Sequence, residues 1–343
     1  NAVLGDFRIN LKTPGDTADS VKLYYPDIID GLAMGSLEDN VTQIKDISSI
    51  AFPRFNSYQS SFRINNYVPG IHYTGGLALE GANLIGSSVG EEAAELEIFA
   101  NDTLRIRVNT NRVAMNSRFI RSPHSSITIY FAGDSIFHPD LQLSFDVDRD
   151  LLRLNKSDDI KSQGPYFNSY HDIDMNFDEL SWVRGESVMK LQALQGTSVG
   201  RASFESHAFF DYGFFMDLQG MDLAHPLAQL YTYSNMVGGR TFAMPNYAIY
   251  ISYPQYQVRH LLMTLSKYGF VFYDDSKEMI TVRQKTFDYI SASMRQRDYD
   301  VIRFISRLEG SSNAQLDLYT RDLTISGIPV IFLSDSQNVR LIP

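Results

Sequence analysis

The sequence has no cysteine, which excludes disulfide staples and thiolate chemistry. That absence fits the cytosol and equally an exported protein that avoids thiols. Tryptophan occurs once, at Trp182. Basic charge is short: 30 Lys and Arg face 40 Asp and Glu, a net charge of −10. A polyanionic partner would meet long-range repulsion. No apolar run reaches the roughly 18 residues that a membrane-spanning helix needs. No basic segment followed by an apolar one opens the chain. It begins at Asn1, without Met, directly in a strand-like pattern (Val3, Phe7, Ile9, Leu11) and ends in another at 338–343. The expectation is a piece of a longer polypeptide, with any export signal upstream.

What is present points to β-structure. The 343 residues allow two domains or one long β-architecture, and 44% hydrophobic residues suffice for a sizeable core. The 20 tyrosines and 22 phenylalanines favour pleated, half-buried surfaces. Over residues 1–200 apolar and polar residues alternate in short runs with turn signals between them. Runs 96–99 and 104–108 flank Asn101-Asp102 and read as a hairpin. Runs 125–131, 141–147, 151–154 and 188–194 read as further strands. Residues 91–96 hint at a helical turn. Turns every 8–12 residues suggest a sandwich, barrel or stacked ladder rather than βαβ units.

From about Ala202 the period changes. Residues 204–218 read as helical, followed by a helix over 226–237 and a Gly238-Gly239 stop. A short strand (241–244), a helical turn (245–252) and a helix over 254–268 come next. Val258, Leu261, Leu262 and Leu265 mark one face of that helix. Gly269 ends it, a hairpin spans 270–282, and a closing helix covers 286–297. This is the element order of a winged helix. The predicted fold is mainly β with an α+β insert: a stacked short-strand scaffold, solenoid- or sandwich-like, over 1–200, the winged-helix-like insert over 201–300, and the scaffold resuming over 301–343.

A nucleic-acid reader would need cations on the second long helix and on the wing. The helix offers Gln255, Gln257, Arg259, His260 and Lys267, but the wing reads Asp274-Asp275-Ser276-Lys277-Glu278. Residues 226–300 hold 8 Lys and Arg against 6 Asp and Glu, a balance of only +2. Gln255, Arg259, Lys267 and Lys277 therefore read as a protein-docking surface, with no nucleic acid as partner. One fold serves both tasks.

Catalytic signals are weak. Gly-x-Ser-x-Gly occurs at 86–90 and 196–200, but the parallel α/β sheet that a nucleophile elbow needs is missing. Asp146 to Asp150 start like a calcium loop, yet Leu151 and Ser157 replace its glycine and its glutamate. The seven histidines show no metal-ligand spacing. His138-Pro139 and His225-Pro226 sit where turns are expected. Asp172, Asp174, Asn176 and Asp178 alternate with Ile173, Met175 and Phe177, so these acids share one predicted strand face. A solvated face is the plain reading, and a cation or sugar face is the functional one. No catalytic residue, cofactor or metal is expected.

The phrases Gly133-Asp134-Ser135-Ile136-Phe137-His138-Pro139, Phe204-Glu205-Ser206, Arg297-Asp298-Tyr299-Asp300-Val301-Ile302 and Ile331-Phe332-Leu333-Ser334-Asp335-Ser336-Gln337-Asn338-Val339 resemble segments of very long exported proteins of Bacteroidota. The resemblance implies a periplasmic or outer-membrane-associated location and a fragment of a larger chain. It implies no mechanism and transfers no functional residue. The expected function is a non-enzymatic structural or interaction segment of a cell-envelope protein, with a protein, or other segments of the same chain, as partner. The alternatives are a carbohydrate-binding or carbohydrate-processing β-domain and a nucleic-acid regulator.

Overall fold

The computed structural model describes residues 2–9, 16–24, 32–39, 52–58, 61–81, 83–90, 92–194, 201–220, 224–275, 277–308, 311–332 and 340–341, with 2–9, 16–18, 332 and 340–341 as backbone alone. The protein is mainly antiparallel β, with five α-helices among these residues. It divides into two compact units. The first comprises Asn1–Phe131, Leu141–Asn155 and Ser181–Glu186; the second comprises Ala132–Asp140, Lys156–Leu180 and Ser187–Pro343.

Unit one opens with β1 (Ala2–Ile9), β2 (Asp16–Tyr24), β3 (Leu32–Asp39) and β4 (Arg54–Ser57), each paired to the next. Then follow β5 (Phe62–Val68), β6 (Ile71–Glu80), β7 (Asn83–Ser87), β8 (Ala94–Ala100), β9 (Thr103–Thr110), β10 (Arg112–Met115) and β11 (Phe119–Phe131). Six of these close a circuit. β6 pairs with β7, β7 with β10, β10 with β11, β11 with β9, β9 with β8, and β8 with β6. Stacked, solenoid-like strands are therefore not what organises this unit.

Two long strands make the closure, each serving two neighbours in turn. β6 meets β8 through Ile71–Thr74 and β7 through Gly76–Glu80, with a Gly75-Gly76 corner between. β11 meets β10 at Ile120 and Arg121, then β9 from Ser125 onward, with Pro123 between. Glycine and proline are the residues that let a strand turn such a corner. Inside, Tyr73 is fully buried; its hydroxyl donates to Gly76 O at 2.5 Å and accepts from Ser87 N at 3.0 Å. A Cβ on Gly86 would lie 2.5 Å from the Tyr73 ring, so only glycine fits beside it. The β8–β9 turn has Asn101 and Asp102 at φ 50° and 57°, the positive values that a two-residue hairpin demands. The helical turn predicted over 91–96 is instead the start of β8, preceded by a Val89–Glu92 bridge.

β12 (Asp134–Asp146) runs from unit two into unit one, where it forms a hairpin with β13 (Leu151–Asn155). In unit two its first half pairs with β14 (Tyr166–Asn168), which pairs with β15 (Ile173–Asn176). Beyond β16 (Glu179–Val183) and β17 (Val188–Gln192), β18 (Arg201–Ser206) adds to β15. The predicted helix over 204–218 is thus a strand and then α1 (Tyr212–Gln219), started where the Asp211 carboxylate caps Phe214 N.

The remaining helical elements are α2 (Pro226–Val237), α3 (Met244–Ile251), α4 (Gln255–Lys267) and α5 (Gln284–Ser293), with β19 (Thr241–Ala243), β20 (Val271–Asp274) and β21 (Met279–Val282) forming a small sheet. Leu227, Leu230, Tyr247, Val258, Leu262, Leu265, Val271 and Tyr289 build their core. Gly238 and Gly269, at φ 69° and 78°, close α2 and follow α4. The chain then returns as β22 (Arg303–Arg307) directly against β18. β23 (Ala314–Asp317) pairs with β17 and with β24 (Leu323–Ile325); β25 (Ile331–Phe332) pairs with β26 (Arg340–Leu341). The helical segment is an excursion between two neighbouring strands of one sheet.

Candidate functional site

Three strands of unit two, β15, β18 and β22, align alternate residues on one face. Cross-strand pairing sets Asp174 against Glu205 and Glu205 against Arg303; Asn176 meets Ser203, which meets Ile305. Above the first row stands the beginning of α5. Arg283 Nη2 meets Asp174 Oδ1 at 2.9 Å, and Lys285 Nζ reaches Asp174 Oδ2 at 3.2 Å and Glu205 Oε1 at 2.6 Å. Arg303 Nη2 completes the chain on Glu205 Oε2 at 2.8 Å. Asp174 is only 3% exposed.

The electrostatics follow from this packing. Burial alone would push the Asp174 carboxyl up, but the charges of Arg283 and Lys285 reverse it and hold it below the usual carboxylate range. Burial would strip Lys285 of its proton, yet Glu205 and Asp174 raise it instead. Arg283 and Lys285 stand at a helix N-terminus, where the macrodipole disfavours cations. The sheet carboxylates answer that mismatch. Beside them, Asp288 pairs with Arg297 and lies 3.4 Å from His207 Nε2. All five charges of the central row are saturated, which suits a joint between insert and sheet rather than acid–base work.

The second row floors a cleft of about 690 Å³. Asn176 and Ser203 line it together with Asp174, Glu205, Lys285 and Arg303 of the first row, Asp211, Phe214 and Asp217 border it at α1, and Lys267, Tyr268 and Arg201 are on it as well. Tyr268 packs edge-on against Phe214, centroids 4.7 Å apart. Lys156 lies next to this floor: its Nζ donates to Asn176 Oδ1 at 2.5 Å and sits 5.6 Å from the Tyr166 ring. Desolvation lowers this amine to about 7, against the pull of Asp178.

The predicted acidic face is broken up. Asp172 lies in an exposed turn at φ 51°, Asp174 is buried among cations, and the Asp178 carboxylate accepts Leu194 N at 2.7 Å. Only Asp174 and Asn176 of that series reach the cleft. Of the predicted docking residues, Arg259 is held by Asp275 and Glu278, each at 3.0 Å. Gln255 and Lys267 sit at opposite ends of α4, about 18 Å apart at 1.5 Å per residue, and Lys277 lies in the β20–β21 turn. Lys267 alone of these four lines the cleft.

Other motifs resolve into local structure. Ser87 ends β7 and Ser88 N donates to Asn111 O; strand, not helix, follows the first Gly-x-Ser-x-Gly. The second copy at 196–200 and residues 333–339 of the phrase that opens at Ile331 lie outside the described residues. Asp146 Oδ1 caps Arg149 N in the hairpin turn. His225 caps α2, whereas His138, expected in a turn, is buried inside β12. In both His-Pro pairs Nδ1 accepts the backbone N–H two residues on, at 3.2 and 3.1 Å. Nε2 meets a carbonyl, Gly164 O at 3.1 Å and Phe215 O at 2.8 Å.

Sequence reasoning missed Glu205, Arg283, Lys285 and Arg303. Arg283 and Lys285 did carry a signal: two cations opening a helix need an anion nearby. Comparison with protein-family models, curated proteins and solved structures found no match.

Proposed function

We propose that the chain is a non-enzymatic structural and interaction segment of a large bacterial cell-envelope protein, periplasmic or outer-membrane-associated. Its insert, a winged-helix-like module, docks a protein partner. The observation that carries this reading is a contrast within the insert. Buried ion pairs fix it to its sheet, while the α3–α4 corner leaves large apolar side chains uncovered. Ile249 is 76% exposed and Tyr256 71%, with Tyr250 and Tyr253 beside them in sequence. Tyr250 lies 4.8 Å from Tyr233 and 6.5 Å from Tyr247, so the corner is continuous with the core. Rigid tyrosines that are apolar and hydrogen-bonding at once are typical of protein interfaces.

This moves the docking face from Arg259 and Lys277 to the tyrosine corner next to Gln255. It also weighs against nucleic acid, since Arg259, the best-placed cation of α4, is occupied by the acidic hairpin. A photo-crosslinking residue at position 256 in the native host tests the proposal. One discrete protein adduct, lost in Ile249→Asp, supports it; no adduct, or a smear unchanged by Ile249→Asp, removes it.

A carbohydrate-binding reading stands second. It is favoured by Asp174 and Asn176 lying on the floor of a cleft that also has aromatic lining, rather than on a flat solvated face.

A further inference from the structure

We infer, resting on the second reading above, that the unit-two cleft binds a neutral oligosaccharide, held by its hydroxyls rather than by charge. Four carboxylates line the cleft, Asp174, Glu205, Asp211 and Asp217, against four cations, Arg201, Lys267, Lys285 and Arg303. Its charges cancel within a chain of net charge −10. Asp174, Glu205, Lys285 and Arg303 are occupied by one another and by Arg283. Asp211 turns one carboxylate oxygen to the cap of α1. Among the described residues, Arg201, Lys267 and Asp217 stand in no ion pair. Hydrogen-bond donors and acceptors therefore lie side by side with no net field to draw an ion of either sign. A hydroxyl group donates and accepts at once, so a polyol uses both halves of such a lining. An anion or a cation uses one half and is repelled by the other.

The rest of the lining narrows the polar ligand to a sugar. The Asn176 carbonyl oxygen accepts from Lys156, which leaves the amide N–H groups to donate. Ser203 offers a hydroxyl on the same row. Both residues stand on a sheet face whose strands are paired on either side: β15 with β14 and β18, and β18 with β15 and β22. No strand edge is open there for a peptide backbone to join. Tyr268 is 42% exposed and held edge-on by Phe214, so part of its ring is free to lie against the apolar face of a pyranose. At about 690 Å³ the cleft falls within the size range of small-molecule sites.

Isothermal titration of the full chain with three neutral sugars, cellotetraose, maltotetraose and mannotetraose, and with tetragalacturonate and zwitterionic triglycine tests the inference. Expected is saturable binding of at least one neutral tetrasaccharide, about tenfold or more tighter than of either charged probe and unchanged as salt rises. Asp217→Ala and Tyr268→Ala should each weaken that sugar about tenfold without moving the melting temperature, the weight of one lost hydrogen bond to a charged group or one lost ring contact. Equal or tighter binding of tetragalacturonate would overturn the neutral class and leave the carbohydrate reading standing. Equal binding of triglycine would overturn the saccharide. Neutral-sugar binding untouched by Asp217→Ala and Tyr268→Ala would overturn the site, and no saturation with any of the four sugars would end both the inference and the second reading.

Discussion

Asp174 and Arg283 lie 109 positions apart in sequence and 2.9 Å apart in space, one on β15 and the other heading α5. Their ion pair, with Lys285 as third member, ties the helical excursion to the sheet from which it departs. The insert is held to the same unit also by Lys161 on Asp274 and by Phe137 packed edge-on against Phe272. Buried charges of this kind contribute less to net stability than to fixing one arrangement, because desolvation offsets much of their attraction.

Asp174→Asn is expected to destabilise unit two by about 3–5 kcal/mol, since it leaves two cations buried and under-compensated. Asp172→Asn, in an exposed turn, should stay within about 0.5 kcal/mol of wild type. The triple variant Asp174→Leu, Arg283→Met, Lys285→Met should recover most of the loss, because apolar residues of similar volume remove the desolvation cost altogether. Urea melts of the three proteins decide. A triple variant no better than Asp174→Asn would show that the charges themselves, not their mutual neutralisation, hold the insert.

Acid should act in two stages. His138 and His225 are held neutral: burial pushes both below the ordinary histidine value, His138 furthest, with Lys156 and Arg283 adding to the effect there. The unfolded chain takes up protons near pH 6.5 while these folded imidazoles do not, so stability falls as pH drops below about 6.5. Asp174 works lower. Its folded value is depressed, so its contribution is complete above about pH 4 and disappears as pH falls through the folded value. His225→Asn keeps an acceptor for Leu227 N and does not titrate. It should shrink the loss between pH 7 and 5.5, read from urea midpoints. A midpoint that falls as steeply in His225→Asn as in wild type would remove His225 from this account.

The insert's elements were legible because each boundary carries a local cause. His225-Pro226 starts α2, Gly238 stops it, and Gly269 follows α4, so the boundaries of both helices are recovered within one residue. The Asn101-Asp102 hairpin was legible for the same reason. Residues 204–218 misled because Phe209, Phe210, Phe214 and Phe215 mimic a helical stripe, while the strand they follow is defined only by partners at 173–176 and 303–307. The six-strand circuit rests on non-local pairings such as β6 with β8, which no short window contains. The acidic series misled differently. Alternation correctly put Asp174 and Asn176 on one face, but whether water or Arg283 covers that face is decided a hundred residues later.

Tyr73 and Gly86 make a matched pair inside the β6–β11 circuit. Gly86→Ala should destabilise unit one by about 1–3 kcal/mol, the usual penalty for overpacking, because the new methyl would meet the Tyr73 ring at 2.5 Å. Tyr73→Phe should also destabilise it, by about 1–3 kcal/mol, since Ser87 N loses its acceptor. The double variant should cost less than the sum, because the residues touch. Additive thermal shifts would show that the ring does not bear on Gly86.

Lys156 offers the sharpest pH test. Its amine, lowered to about 7 by burial, donates to Asn176 and to Gln163 O at 3.5 Å, and makes no salt bridge among the described residues. In the unfolded chain the same amine titrates near 10.4. Folding therefore works against the proton: this residue's penalty is complete below pH 7 and fades as pH rises toward 10. Lys156→Met, which keeps the packing and discards the charge, should raise the urea midpoint most at pH 6–7. The advantage should shrink steadily up to pH 9.5. A gain that does not change with pH would mean that the methionine merely packs better. A loss at every pH would mean that the hydrogen bonds to Asn176 and Gln163 outweigh the cost of burying the ammonium.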